Sequence, residues 1–131
     1  MKFVHRFLAR RHRPAAEAGN RDEAFNLALE LEKAGQPEQA EAWYRRAAEA
    51  GDSDAANNLA LLLEGTGRRD QALPFYIQAA AAGDGEAAWN AGVLCEEQGD
   101  EASALGWYRT AARLGDKDAQ RELARRSERG S

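Results

Sequence analysis

The 131-residue chain is predicted to be all-α, a solenoid of antiparallel helix pairs, and three observations predict it. The first is a 32-residue period. Trp43-Tyr44, Ala47-Ala48 and Gly51-Asp52 return as Phe75-Tyr76, Ala79-Ala80 and Gly83-Asp84, then as Trp107-Tyr108, Ala111-Ala112 and Gly115-Asp116. A fixed period of roughly 20–50 residues marks units that bury their apolar faces only against neighbouring units. The second is alanine recurring in phase, at Ala40, Ala72 and Ala104 and at Ala47, Ala79 and Ala111, where helix backbones must approach closely. The third is glycine, 12 in all and mostly at shared phases, which makes it punctuation between helices.

The elements follow in order. Residues 1–19 are expected to hold a basic helix and a degenerate half-repeat. Phe3, Val4, Phe7 and Leu8 form an apolar stripe flanked by Lys2, Arg6, Arg10, Arg11 and Arg13, and Pro14 ends or bends that helix. Ala15-Ala16-Glu17-Ala18-Gly19-Asn20 matches the phase of Ala47 to Asp52, the close of a preceding unit. Repeat one spans 20–51, repeat two 52–83 and repeat three 84–115.

In the central copy, Asp52 is expected to cap a helix whose Ala56, Leu59, Ala60 and Leu63 fall at helical spacing. Gly65 and Gly67 end it, because glycine accepts the left-handed conformation at a helix C-terminus. A second helix is expected from about Asp70 to Ala82, burying Ala72, Phe75, Tyr76, Ala79 and Ala80, with Pro74 in its first turn giving a small kink or a delayed start. Two helices of about 13 residues joined by short turns lie antiparallel. Residues 116–131 repeat a first helix without a partner, and Arg121, Arg125, Arg126 and Arg129 suit a solvated capping face. About seven helices plus the basic one are expected.

Small residues at Ala60, Ala72 and Ala79, with Leu59, Leu63 and Tyr76 between them, resemble the tetratricopeptide repeat. The phrase Trp43-Tyr44-Arg45-Arg46-Ala47-Ala48-Glu49-Ala50-Gly51-Asp52 is similar to its Sel-one-like relative. The resemblance covers about residues 20–116 and implies a right-handed superhelix whose concave face, lined by the first helix of each unit, takes a peptide. The residues it places there are Asp22, Phe25, Asn26, Leu29, Glu32 and Lys33 in the first copy. Asp54, Asn57, Asn58, Leu61 and Glu64 follow in the second, then Glu86, Trp89, Asn90, Val93, Glu96 and Glu97 in the third.

Family members that clamp a C-terminal carboxylate have asparagines at the places of Asn26, Asn58 and Asn90, with lysine or arginine beside them. This chain has acids there instead. The electrostatics favour a basic or mixed, amide-rich segment, with Phe25, Leu29, Leu61, Trp89 and Val93 in apolar contact. The bland alternative is a solvated acidic face with no partner.

Charge is unevenly spread. Residues 1–13 hold five bases and no acid, while the whole chain has a net charge of −4, so the body is acidic and unsuited to nucleic acid. The basic stretch has three readings: it covers the first repeat, docks on a membrane surface or docks in a partner's groove, including that of a second copy. Catalysis has little support. His5 and His12 sit among arginines, and Cys95 takes the phase of Leu31 and Leu63, the place of a buried hydrophobe. The glycines end helices and do not open one after a strand, so no phosphate cradle forms. The expectation is a cytoplasmic, non-catalytic scaffold or adaptor, monomeric, without metal or cofactor.

Overall fold

Glycine sets the frame of this chain. In the computed structural model, Gly35, Gly51, Gly67, Gly83, Gly99 and Gly115 all have positive φ, between 80° and 101°. They recur every 16 residues, each one closing a helix. At the first, the Gly35 amide donates to the Glu32 carbonyl at 3.0 Å and the Gln36 amide to the Leu31 carbonyl at 2.9 Å. This pair of bonds satisfies carbonyls that the helix end would leave bare, and it needs a left-handed residue between them.

The structure describes Arg13 and residues 20–130. Residues 1–12 and 14–19, with the basic stripe and the half-repeat expected there, lie outside the described residues. Those described form seven α-helices, one short 3-10 turn and no strand. The fold is all-α, of the helical-solenoid class. The chain divides into two compact units, residues 1–68 and 69–131.

In the first unit, α1 (Arg21–Lys33), α2 (Pro37–Glu49) and α3 (Ser53–Gly65) pack in succession. Asn20 accepts from the amides of Asp22 and Glu23, and Asp52 from the Ala55 amide, so α1 and α3 start on side-chain caps. Helix α2 lacks a capping side chain and starts on Pro37, whose missing amide is no loss at that position. Leu27, Ala28, Ala40, Tyr44, Ala47, Ala56, Leu59 and Leu63 are fully buried. Gly65 is not a left-handed terminator: it is the last helical residue of α3, and Gly67 alone takes the positive φ.

The second unit contains the 3-10 turn Arg69–Gln71, then α4 (Leu73–Ala81), α5 (Gly85–Glu97), α6 (Glu101–Arg113) and α7 (Lys117–Gly130). Helix α4 has 9 residues where α2, α3, α5 and α6 have 13. The start expected at about Asp70 therefore moves to Leu73, the delayed start expected from Pro74. Pro74 has no amide to close the first α-turn, so the chain stays in a 3-10 turn until Leu73. Asp84, Asp100 and Asp116 cap α5, α6 and α7 through the amides of Ala87, Ser103 and Ala119.

Tyr76, Ala79, Ala87, Ala88, Ala91, Ala104 and Ala111 are fully buried. The tyrosine of each aromatic pair is buried, as is Trp43, but Phe75 and Trp107 are only half-buried. Among the described residues no helix is long and apolar enough to cross a membrane.

Candidate functional site

On the first helix of each repeat, the residues named from sequence fall into three kinds. Asp22, Asp54 and Glu86 are exposed in the first turns of α1, α3 and α5, where a carboxylate meets the positive end of the helix dipole. That role needs no partner. Phe25, Asn26, Leu29, Asn57, Asn58, Glu64, Trp89, Asn90 and Val93 are half-buried, and Leu61 is an exposed large hydrophobic. The third kind is tied to a buried tyrosine.

In the first unit, the Tyr44 hydroxyl donates to Glu32 Oε1 at 2.6 Å, and the nearby Asn58 side chain acts on the same phenol in the lowering sense. Phe25 lies tilted against the Tyr44 ring, with centroids 6.0 Å apart. Burial first, then the Glu32 carboxylate, pushes this phenol well above its ordinary range. Asn57 Oδ1 is buried and meets no donor among the described residues. Lys33 reaches back to Glu30 at 3.8 Å. On α2, Glu41 takes a two-pronged grip from Arg68 and a third contact from Arg45, and Arg68 above all holds its carboxyl below the usual range. The Arg46 guanidinium sits 4.5 Å from the Trp43 ring centroid and that of Arg13 5.8 Å away.

In the second unit the same motif opens onto a groove of about 490 Å³. Its lining is Trp89, Val93, Glu96 and Glu97 from α5, Tyr108 from α6, and Glu122 and Arg125 from α7. The Tyr108 hydroxyl donates to Glu96 Oε2 at 2.5 Å, and Trp89 lies tilted by 36° against the Tyr108 ring, with centroids 4.8 Å apart. Gly92 makes this possible: a Cβ there would lie 2.6 Å from Tyr108 Cε1.

Arg126 knits the floor together. It reaches Glu96 at 3.1 Å, Glu122 at 2.8 Å and Glu101 at 3.4 Å, with its guanidinium 5.2 Å from the Tyr108 centroid. Its side chain is only 21% exposed, which corrects the expectation of a solvated arginine at this position. Arg125 clasps Glu122 and holds that carboxyl below the usual range, while Arg69 meets Glu97 at 2.6 Å. Glu96 and Glu97 of the third copy thus carry their own counter-charges.

The structure therefore brings Trp89, Val93 and Glu96 into one groove, together with Glu97, while Glu86 stands apart in the first turn of α5. Tyr108, Glu122 and Arg125 were not named for the groove, yet they line it. A signal existed: Glu122 and Arg125 follow Asn90 and Val93 by one 32-residue period. Among the described residues no three His, Cys, Asp or Glu side chains gather to hold a metal ion. Cys95 is buried, and burial pushes its thiol pKa up, away from thiolate chemistry.

Comparison with known proteins gives the repeats a family. Residues 22–50 and residues 55–88 each match a model of the tetratricopeptide repeat. The matched segments are tetratricopeptide repeats, and over most of its length the chain is similar to Sel1-like repeat proteins. A Sel1 repeat protein from Oxalobacter formigenes is 33% identical over 88% of this chain and 53% of its own, with a TM-score of 0.76. A protective antigen present in uropathogenic Escherichia coli strains, displaying an SLR fold, is 34% identical over 91% of this chain and 28% of its own, with a TM-score of 0.77.

A tetratricopeptide protein with an unusual peptide-binding site, YrrB, shares the fold at 24% identity, over 95% of this chain and 68% of its own, with a TM-score of 0.65. The chain spans about half and about a quarter of the two Sel1-like relatives. A search among curated proteins returned no match in sequence.

Proposed function

We infer that these tetratricopeptide-type repeats form a non-catalytic protein-interaction module that seats a segment of a partner protein on the face of its first helices. The observation that carries this is the groove of residues 69–131, where an indole, a valine and a phenol ring lie beside charged side chains in a cleft of about 490 Å³. An apolar floor with a few oriented polar groups is what recognition of a peptide needs. The fold supports the same reading, since solved relatives include a tetratricopeptide protein with a peptide-binding site and a secretion chaperone of Yersinia enterocolitica in complex with a peptide of its translocator.

The lining holds Glu96, Glu97 and Glu122 against Arg125, so a segment of mixed charge with an apolar anchor suits it better than a strongly basic one. The face of the first unit, with Phe25, Asn26, Leu29, Asn57, Asn58 and Leu61, belongs to the same reading, as does a cytoplasmic setting. The test begins with a photoreactive residue at Val93, which identifies the partner by crosslinking in native lysate. The captured segment is then titrated against Trp89→Ala and Val93→Glu. Loss of affinity by about tenfold or more is expected for removing a central anchor. Unchanged affinity in both variants rejects the groove.

A further inference from the structure

Helix α6 turns a second, unrelated face outward. Gly106 lies in the interior of that helix, where glycine lowers helix stability. Nothing among the described residues accounts for it: a Cβ at Gly106 would meet none of their atoms within 4 Å, whereas one at Gly92 would collide with Tyr108. Gly106 is instead the shared wall of two shallow grooves. Ser103, Trp107 and Thr110 line one of about 270 Å³, and Arg109, Ala112, Arg113 and Leu123 line the other, of about 530 Å³. Ser103, Gly106, Thr110 and Arg113 are three or four residues apart, on the side of α6 opposite its buried Ala104, Tyr108 and Ala111.

The charges on this face are unmatched. Arg69, Arg121, Arg125 and Arg126 all have a carboxylate within 4.0 Å. Arg109 and Arg113, both exposed, form no ion pair among the described residues; Arg113 donates only to Thr110 Oγ1, at 3.2 Å. Two guanidinium groups without counter-charge thus flank an apolar floor, in a unit whose acids outnumber its bases.

We propose that this face of α6 docks an acidic amphipathic helix of a partner protein, whose backbone crosses α6 at Gly106. The missing side chain lets a second helix axis come close, and the grooves on either side receive its ridges. Carboxylates on the partner meet Arg109 and Arg113, while its apolar side chains cover Trp107 and Leu123, both partly buried beside the Cys95–Ala104–Tyr108 cluster. The chain's own residues 1–13, with five bases and no acid, have the wrong sign to fill it.

The experiment titrates the ¹⁵N-labelled full chain with a synthetic helical peptide carrying a leucine stripe edged by glutamates, and with its lysine-for-glutamate counterpart. Amide shifts at Gly106, Arg109 and Arg113 are expected with the acidic peptide only. The double variant R109E/R113E is expected to weaken binding about tenfold or more by turning attraction into repulsion. Gly106→Leu is expected to abolish binding while leaving the helical circular dichroism unchanged, because the added side chain points into open space.

Shifts at Trp89 and Val93 instead, equal binding of the basic peptide, or unchanged affinity in R109E/R113E would overturn the proposal. No shift with either peptide up to about 1 mM, the weakest useful recognition, would do the same. Self-association of the chain that these variants abolish would assign the face to a second copy and overturn the proposed occupant.

Discussion

Tyr44 in the first unit and Tyr108 in the second stand two periods apart and perform the same task with different surroundings. Each ring is buried, and each hydroxyl donates to a glutamate 12 residues earlier, at 2.6 Å and 2.5 Å. Around Tyr44 the neighbours are Phe25, at 6.0 Å, and the Asn58 amide. Around Tyr108 they are Trp89, at 4.8 Å, and the charged pair Glu122 and Arg126. The period preserves the pin that fastens the second helix to the first. The side chains beside that pin are exchanged, and those are the ones a partner would touch.

The sharpest way to break the comparison is at Gly92, which holds the phase of Ala28 and Ala60. Gly92→Ala places a methyl group against the Tyr108 ring and should cost about 1–3 kcal/mol by overpacking, read from urea denaturation. A neutral result would mean that the ring is free to shift and that glycine does not set its contact with Trp89. Tyr44→Phe and Tyr108→Phe should each lose about 1 kcal/mol, the usual net worth of one such hydrogen bond. Equal losses would establish the pin as common to both units, and a loss at one alone would separate them.

Weaker effects come from charge. Arg126→Gln should lower stability by less than about 1 kcal/mol, because its partners are partly exposed and screened by salt. The loss should shrink further at high ionic strength.

Titration sharpens the contrast from both ends of the pH scale. Arginines hold Glu41 and Glu122 below the usual carboxylate range, so their contribution is complete above about pH 5 and fades as pH falls through the lowered values. Melting temperature should therefore drop on acidification, and E41Q/E122Q should flatten that slope. The phenols of Tyr44 and Tyr108 are raised, so their contribution is complete below about pH 10 and is lost as pH climbs through the folded values. Ultraviolet titration should find them un-ionised past the point where a free tyrosine gives up its proton.

Much of this architecture is legible in the sequence because caps and terminators are local. Asp52, Asp84 and Asp116 stand directly after the left-handed glycines, so each turn announces the helix that follows. The start of α4 is half read for the same reason: Pro74 announces the delay, and nothing local marks Leu73 as the first residue. No Ser, Thr, Asp or Asn caps it, and Ala72 leads without a side-chain bond into a helix opened by Pro74.

The candidate groove is half legible. The family resemblance picks out Trp89, Val93 and Glu96, but assigning Tyr108 to packing and α7 to solvent hides the opposite wall. The neutralising contacts are harder still. Arg69–Glu97 and Arg126–Glu96 join residues 28 and 30 apart, and no local pattern marks them.

The left-handed glycines carry a last consequence. Because they fall every 16 residues, the chain is metred by single helices, and its joints alternate between two settings: φ of 80–82° at Gly35, Gly67 and Gly99, and 94–101° at Gly51, Gly83 and Gly115. One residue added inside a helix rotates everything after it by about 100° and breaks the metre. A whole 32-residue measure restores both the face and the order of joints, whereas a half measure restores the spacing but lands each helix on the wrong kind of joint. Length in this molecule is therefore quantised, and its natural variants and designed extensions should differ by full measures.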